Sequence, residues 1–257
     1  MNQYALITGA SKGIGKSMAL QLAKSGYNLL LVARGQDELD QLSKTLQLEF
    51  KVNVYYFVTD LSEAGAAPKV ANWCKSIRVP LSILINNAGY GLWGKFEDTD
   101  IHAQLNMLDL NIRTVVELTH LLLPVLKIQE KAFVLNISSV AAYQAVPTLS
   151  LYAASKAFIL SFSRGLRYEL KDSTISVSCL CPGPTDTEFA HRAGMDALAD
   201  LAARFNMDAP EVARIGLAGM FKGKAEIIPG FLNKLSATGS RYLNKALIEQ
   251  ITAGLYK

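Results

Sequence analysis

Tyr4-Ala-Leu-Ile-Thr8 runs directly into Gly9-Ala-Ser-Lys-Gly-Ile-Gly15, and the reading of these residues decides the fold. The first five form a short strand, and an amphipathic stretch near Ile14–Ser25 reads as a helix. Glycines between a strand and a helix allow a tight turn and let backbone N–H groups approach a phosphate at the helix N-terminus. Gly9, Ser11, Lys12, Gly13, Ile14 and Gly15 are therefore candidate cofactor-binding residues. Gly15-Lys16-Ser17 imitates the end of a nucleotide triphosphate P-loop. That loop needs a glycine where Ala10 stands, and Gly9 is one residue too far away. Lys16 and Ser17 read instead as first-turn helix residues.

Outward from this loop, short apolar runs alternate with longer helical patterns. Strands are expected at Tyr4–Thr8, Asn28–Ala33, Asn53–Val58, Ser82–Asn86, Phe133–Ser138, Ile175–Cys181 and Glu226–Ile228. Helices are expected near Ile14–Ser25, Asp37–Phe50, Ala66–Ile77, Ile101–Leu126 and Tyr152–Leu170, with Pro124 ending or kinking the fourth. Such alternation, with strands rich in Val, Ile and Leu, predicts an α/β fold with a parallel sheet covered on both faces. After Cys181 the rhythm breaks. Residues Thr187–Met207 read as helices and loop rather than a crossover, Asp208–Met220 as a further helix, and 187–225 as a lid over the strand ends. Without repeats or a linker, 1–257 is expected to be a single domain.

The composition fits an enzyme with a buried core. The 257 residues carry a net charge of +4, half are hydrophobic and only 19% are charged. A charge this mild and dispersed argues against a nucleic-acid or membrane partner. Four windows, Met1–Ser11, Val79–Gly94, Ala132–Ser155 and Ser173–Thr185, hold no charged side chain. The third is too polar to span a bilayer. No signal precedes the first strand, and the last residues match no common address. Cys74, Cys179 and Cys181 show no CxxC spacing; the last two share one strand face as core residues, which points to a reducing, cytoplasmic setting. The tail from Pro229, with Lys234, Arg241, Lys245 and Lys257, reads as a solvated helix in preference to a membrane contact.

Thr8-Gly-Ala-Ser-Lys-Gly-Ile-Gly15 resembles the TGxxxGxG fingerprint of the short-chain dehydrogenase/reductase family, and further motifs follow in order: Asn86-Asn87-Ala88-Gly89, Asn111, Ser138-Ser139, Tyr152-Ala-Ala-Ser-Lys156 and Pro182-Gly183. The resemblance covers roughly 4–190. It implies a Rossmann-type, doubly wound, seven-stranded parallel sheet and a nicotinamide-dependent oxidoreductase. Family spacing places the catalytic serine thirteen residues before the tyrosine, at Ser139, and leaves Ser138 to support the strand. Asn111 matches the asparagine that holds a water between the lysine and solvent; an internal hydrogen-bonding or helix-kink role is its alternative. The chemistry also follows from the residues. Tyr152 and Lys156 are four apart and share a helix face, and an ammonium near a phenol favours the phenolate. Tyr152 then exchanges a proton with a carbonyl or alcohol oxygen. Asn111, Ser139, Tyr152 and Lys156 are the expected catalytic set.

At the end of the second strand stands Ala33-Arg34, where NAD-preferring relatives carry an acid. Arg34 can fork onto a 2′-phosphate, and Lys12 adds a cation unless it is only a solvated loop charge. Both favour NADP(H), with NAD second. Asp37 and Glu38 fit the first turn of the next helix. Asp60-Leu61 resembles the adenine-edge contact, though Asp60 equally suits a helix N-cap. By resemblance Asn87, Ala88, Gly89, Pro182, Gly183, Thr185 and Thr187 complete the cofactor site. Tyr90, Trp93, Ala141, Tyr143, Gln144, Pro147, Phe189 and Met195 are candidate substrate-pocket residues, suiting a lipophilic ketone, aldehyde or acyl group, with loop packing the alternative for each. His102, His120 and His191 lack metal-ligand spacing, so no metal is expected. The family also implies a homodimer or homotetramer built on the long helices. A non-catalytic NADP-binding regulatory protein is the alternative function.

Overall fold

The computed structural model describes residues 3–186, 194, 206–240 and 244–255. Strands β1 (Tyr4–Thr8), β2 (Asn28–Ala33), β3 (Val54–Val58), β4 (Leu81–Asn86), β5 (Ala132–Ile137), β6 (Ile175–Leu180) and β9 (Glu226–Ile227) build one sheet in the order β3-β2-β1-β4-β5-β6-β9. Every pairing in it is parallel. Each strand matches its expected position to within one residue at either end.

The strands can be apolar on both faces because both faces are covered. Successive side chains point to opposite sides. Leu6, Leu30, Val32, Leu84, Val134 and Val177 join one buried cluster, beneath helices α3 (Ala66–Ile77), α4 (Ile101–Leu108), α5 (Thr114–Lys127) and α6 (Ser150–Glu169). Ile7, Leu29, Leu31, Ile83, Ile85 and Leu135 join the other, beneath α1 (Gly13–Lys24), α2 (Gln36–Phe50) and α7 (Ala209–Phe221). The chain winds outward from β1 to β3 and then returns to place β4 on the far side of β1. Loops leaving β1 and β4 therefore diverge, and a crevice lies beyond their carboxyl ends.

Two expectations are corrected. The fourth helix does not end at Pro124, which sits inside α5, and α5 continues to Lys127. Its irregularity lies upstream, in a single π-helical turn at Asp109–Arg113 that joins α4 to α5. There Asn111 is bonded to the backbone of Tyr90, and Thr114 Oγ1 donates to the Leu61 carbonyl. These anchors hold the widened turn. The stretch 187–225 is also not one lid. Its second part is α7, whose Val212, Ala213, Leu217 and Met220 are buried with Met18 and Leu22 of α1, and which leads into β9. It is a crossover helix of the sheet. Residues 187–193 and 195–205 lie outside the described residues. Their flanks are tied by a two-residue ladder, β7 (Thr185–Asp186) with β8 (Met207–Asp208), which the sequence pattern does not announce.

Two helices close the described chain, α8 (Phe231–Gly239) and α9 (Lys245–Leu255). All three cysteines are buried and free, with the Cys179 and Cys181 sulfurs 3.9 Å apart on one face of the β6 end. Burial pushes the Cys74 thiol up to about 12, leaving it inert at neutral pH.

Leu84 is fully buried in the centre of the sheet. Leu84→Ala is expected to cost about 2–5 kcal/mol, read as a lower urea midpoint with an unchanged m-value.

Candidate active site

Thr8 and Asn87 hold the mouth of the crevice together. Thr8 Oγ1 accepts from the backbone N–H groups of Asn87 and Ala88, each at 3.0 Å. Asn87 Nδ2 returns bonds to the carbonyls of Thr8 and Gly9, at 2.9 and 3.1 Å. The glycine loop is thereby pressed onto the loop after β4. A Cβ on Gly9 would lie 2.9 Å from Ala88 Cα, and one on Gly15 2.3 Å from the Gly9 carbonyl oxygen. Gly9 also adopts φ +64°, which disfavours any side chain. Helix α1 starts at Gly13 with Lys12 as its N-cap and no side-chain cap, so its first amides are open to an anion. The cradle fits a dinucleotide diphosphate.

Ser11 and Ile14 are half-buried in the same loop. At the end of β2, Ala33 is buried and Arg34 exposed. Arg34 Nη1 lies 3.3 Å from Asp60 Oδ2, and Lys12 Nζ lies 3.8 Å from Glu38 Oε1. Both pairs are substantially exposed, so they hold their cations loosely. Asp60 is not the N-cap of α3, a position taken by Gly65. Its carboxylate folds onto Ser62, accepting from the backbone N–H at 2.9 Å and the hydroxyl at 2.7 Å. Burial pushes the Asp60 carboxyl up, but the bonds from Ser62 and Arg34 outweigh it and hold it below the usual range.

Deeper in the crevice, four segments bring the expected catalytic set together. Ser139 follows β5 and caps the short 3₁₀ turn Val140–Tyr143; its Oγ accepts from Ala141 N–H at 3.1 Å, leaving the hydroxyl proton to donate. Tyr152 and Lys156 lie one turn apart on α6, 9% and 5% exposed, with Lys156 Nζ 5.7 Å from the Tyr152 ring centre. Nζ donates to the Ile137 carbonyl at 3.1 Å. Ser138 Oγ donates to the Lys156 carbonyl at 2.7 Å, tying the end of β5 to α6 rather than supporting the strand itself. Gly89 completes the floor: a Cβ there would lie 2.9 Å from Asn111 Oδ1 and 3.3 Å from Lys156 Nζ. Asn111 makes the internal hydrogen bonds offered as its alternative role. It sits in the π-helical turn, its Oδ1 accepting from Tyr90 N–H at 3.2 Å and its Nδ2 donating to the Tyr90 carbonyl and Ser155 Oγ. The same Oδ1 faces the position beside Lys156.

With so little water around it, the Lys156 ammonium is destabilised. Burial pulls its pKa down to about 8, against an opposing pull from Cys179 and Cys181.

Behind this set, Asn86 Nδ2 donates to Asn136 Oδ1 at 2.8 Å and to Thr119 Oγ1 at 3.0 Å, and Asn136 Nδ2 donates to Ser163 Oγ. Asn136 is structural. Gly183 lies under the Asn233 side chain of α8, which a Cβ would strike at 2.4 Å, and Thr185 Oγ1 donates to the Gly183 carbonyl. Val140 N–H donates to the Pro182 carbonyl.

Trp93, Ala141, Gln144 and Pro147 are half-buried in the loops beside Ser139 and Tyr152. Thr148, a β-branched residue at φ +66°, holds one of these loops against the other by accepting from Gly94 N–H at 2.9 Å. Tyr90 is corrected: its ring is in the core, and its hydroxyl donates to Asn106 Oδ1 at 2.8 Å, on α4. Tyr143 is corrected too. Its ring packs with Ile159, Leu160, Cys179 and Cys181, and burial with the neighbouring Cys181 raises its hydroxyl above the ordinary range. Thr187, Phe189 and Met195 lie outside the described residues. Sequence reasoning missed Thr8 as a clamp, although the residue stands inside the quoted motif. It missed Asn233 because nothing local marks it.

A family model described as short chain dehydrogenase matches residues 3–197. Very-long-chain 3-oxoacyl-CoA reductase-A of Danio rerio is 33% identical over 188 residues, 71% of this chain and 58% of that protein. Sulfoacetaldehyde reductase 2 of Chromohalobacter salexigens is 33% identical over 191 residues, 74% of this chain and 75% of that protein. The chain thus spans only 58% of the length of the first of these relatives. A solved short-chain dehydrogenase from Sphingobium yanoikuyae, in complex with NADPH, superposes with a TM-score of 0.83 at 30% identity, covering 96% of this chain and 98% of that one.

A buried lysine titrating near 8 makes stability depend on pH. The unfolded chain binds this proton up to an ordinary lysine pKa near 10.5, so stability rises between about pH 8 and 10.5, and the full penalty applies below pH 8. Lys156→Met is therefore expected to be more stable than the wild type at pH 7, by about 2–3 kcal/mol. The gap in urea unfolding should shrink towards pH 10.5; a gap independent of pH would contradict the assignment.

Proposed function

The chain belongs to the short-chain dehydrogenase family, and we propose on that footing that it is an NADP(H)-dependent oxidoreductase interconverting a carbonyl and an alcohol. The observation that carries this reading is the convergence of Ser139, Tyr152 and a buried Lys156 beside Gly89 and Asn111, next to a glycine cradle that fits a diphosphate. A nicotinamide dinucleotide, when bound, supplies or accepts the hydride. Gly9, Ser11, Lys12, Gly13, Ile14 and Gly15 would hold its diphosphate, and Asp60, Leu61, Asn87, Ala88 and Gly89 its adenosine half.

In reduction, Tyr152 gives its hydroxyl proton to the carbonyl oxygen as charge develops there, and in oxidation it takes that proton back. Ser139 Oγ, its lone pair engaged by Ala141 N–H, donates a hydrogen bond to the same oxygen. Lys156 stabilises the phenolate left on Tyr152. Its own pKa near 8 lets it pass a proton on at neutral pH. Asn111 fixes the Gly89–Tyr90 backbone at the distance this requires and presents Oδ1 to the lysine, where a relaying water would bond.

Preference for NADP(H) is supported by Ala33, which brings no carboxylate to a ribose hydroxyl, and by Arg34 and Lys12. A doubly charged phosphate offers these cations more than single exposed carboxylates do. The relatives' names point to carbonyl substrates of different polarity, and half-buried Trp93, Ala141 and Pro147 favour a lipophilic ketone, aldehyde or acyl group. Exposed Ile101 and Leu105 on α4 and Phe158 on α6 support a homo-oligomer built on those helices.

A screen of NADPH oxidation across ketones, aldehydes, quinones and 3-oxoacyl esters tests the activity. Tyr152→Phe should lower kcat by about 10²–10⁴-fold while NADPH binding by calorimetry stays within about three-fold. Dinucleotide binding without turnover on any substrate would favour a regulatory protein instead. Arg34→Ala should weaken NADPH binding by about 10–100-fold and leave NADH binding unchanged; equal losses for both would remove the 2′-phosphate assignment.

A further inference from the structure

Helix α8 is amphipathic in the reverse of the usual sense. Its inward face is small and polar: Asn233 bonds the Pro229 carbonyl at 2.9 Å and covers Gly183, and Ala237, one turn on, is 3% exposed. On the opposite side Phe231, Leu232 and Leu235 are 79%, 62% and 59% exposed, forming one stripe directed away from the protein. The helix flank borders a depression of about 420 Å³ between α7, β9 and α8, with Lys222, Lys224 and Lys234 on its rim and Ala218, Gly219 and Ile227 in its lining. These lysines have no carboxylate partner among the described residues, whereas the nearby acids are engaged, Glu211 by Arg214 and Glu226 by Arg164.

We propose that α8 and this basic depression form a docking surface for an anionic lipid bilayer, with Phe231, Leu232 and Leu235 entering the interface and Lys222, Lys224 and Lys234 neutralising headgroup phosphates. This reverses the solvated-helix expectation for the tail: exposed aliphatic and aromatic side chains on a helix whose flank borders a lysine-lined depression match the two layers of such a surface. Among the described residues no helix is long and apolar enough to cross a membrane, so the contact is with one face only. Charge selects the bilayer over a second copy of the chain. Two copies of this face, each carrying Lys222, Lys224, Lys234 and Arg214 against one acid, Glu226, would meet with like net charge, which opposes that contact. The exposed apolar residues of α4 have the opposite surroundings: Ile101 and Leu105 follow Glu97, Asp98 and Asp100, which an anionic surface repels. The docking helix also packs against the Val140–Tyr143 turn beside Ser139, so a lipid-dissolved substrate would reach the crevice from the bilayer side. That last point rests on the oxidoreductase reading; the docking itself does not.

Co-sedimentation of the full chain with phosphatidylcholine vesicles, and with the same vesicles containing phosphatidylglycerol, tests the proposal without any measurement of turnover. Binding is expected to the mixed vesicles and to fall steeply with salt. Each lysine near the surface contributes about five-fold, so K222Q/K224Q/K234Q should lower the partition coefficient about 100-fold. F231S/L232S/L235S should abolish sedimentation while its circular dichroism and melting temperature stay those of the wild type. Equal binding to neutral and anionic vesicles, or undiminished binding of the serine variant, would overturn the proposal. So would a wild-type oligomer by light scattering that the serine variant dissociates, since the stripe then joins copies of the chain.

Discussion

The reciprocal bonds between Thr8 and Asn87 are the constraint on which the candidate site depends. Strands β1 and β4 are adjacent in the sheet but far apart in sequence, and their following loops have no ladder to hold them. One hydroxyl and one carboxamide replace the ladder: Thr8 Oγ1 collects two N–H groups of the β4 loop, and Asn87 Nδ2 reaches back to two carbonyls of the β1 loop. The contact brings backbone to within a distance that only glycine tolerates at positions 9 and 15. The glycines therefore serve loop-to-loop packing as much as any ligand, and bonds within the chain shape the cradle.

A second layer of polar contacts carries that order inward. Asn86 and Asn136 pair across β4 and β5 and their amide groups reach on to Thr119 and Ser163, tying α5 and α6 to the sheet. Because α6 carries Tyr152 and Lys156, the position of the proposed proton-transfer pair is set by side chains that touch neither reactant. The cost of the arrangement falls on Lys156, whose buried charge has the Ile137 carbonyl and the Tyr152 ring beside it in place of water. Stability is given up here in holding a lysine whose pKa burial pulls down to about 8.

The fold was almost fully legible from sequence, because a sheet covered on both faces demands continuous apolar strands, and these stand out between amphipathic helices. The site was legible where chemistry requires a residue type at a fixed spacing, as with Ser139, Tyr152, Lys156 and the glycine loop. It was less legible where a side chain can turn either way. Tyr90 and Tyr143 stand beside the motifs, yet each aims its hydroxyl at a partner within the protein, Asn106 in one case and the Cys181 neighbourhood in the other. Composition alone says nothing of that choice. The π-helical turn was hidden for the same reason: Pro124 is a visible helix breaker, whereas the widening around Asn111 arises from long-range bonds to Tyr90.

That widened turn has a consequence for how this segment tolerates change. One additional residue in a helix rotates everything after it by about 100°, so α5 is phased differently from α4 by design of the turn. Leu118, Leu122 and Leu126 meet the core only in that phase. A single-residue deletion between 109 and 113 would relax the turn to a regular helix and, in the same stroke, swing this leucine row away from the sheet. The asparagine and the core of α5 are thus bound into one inheritable unit, in which length matters as much as identity.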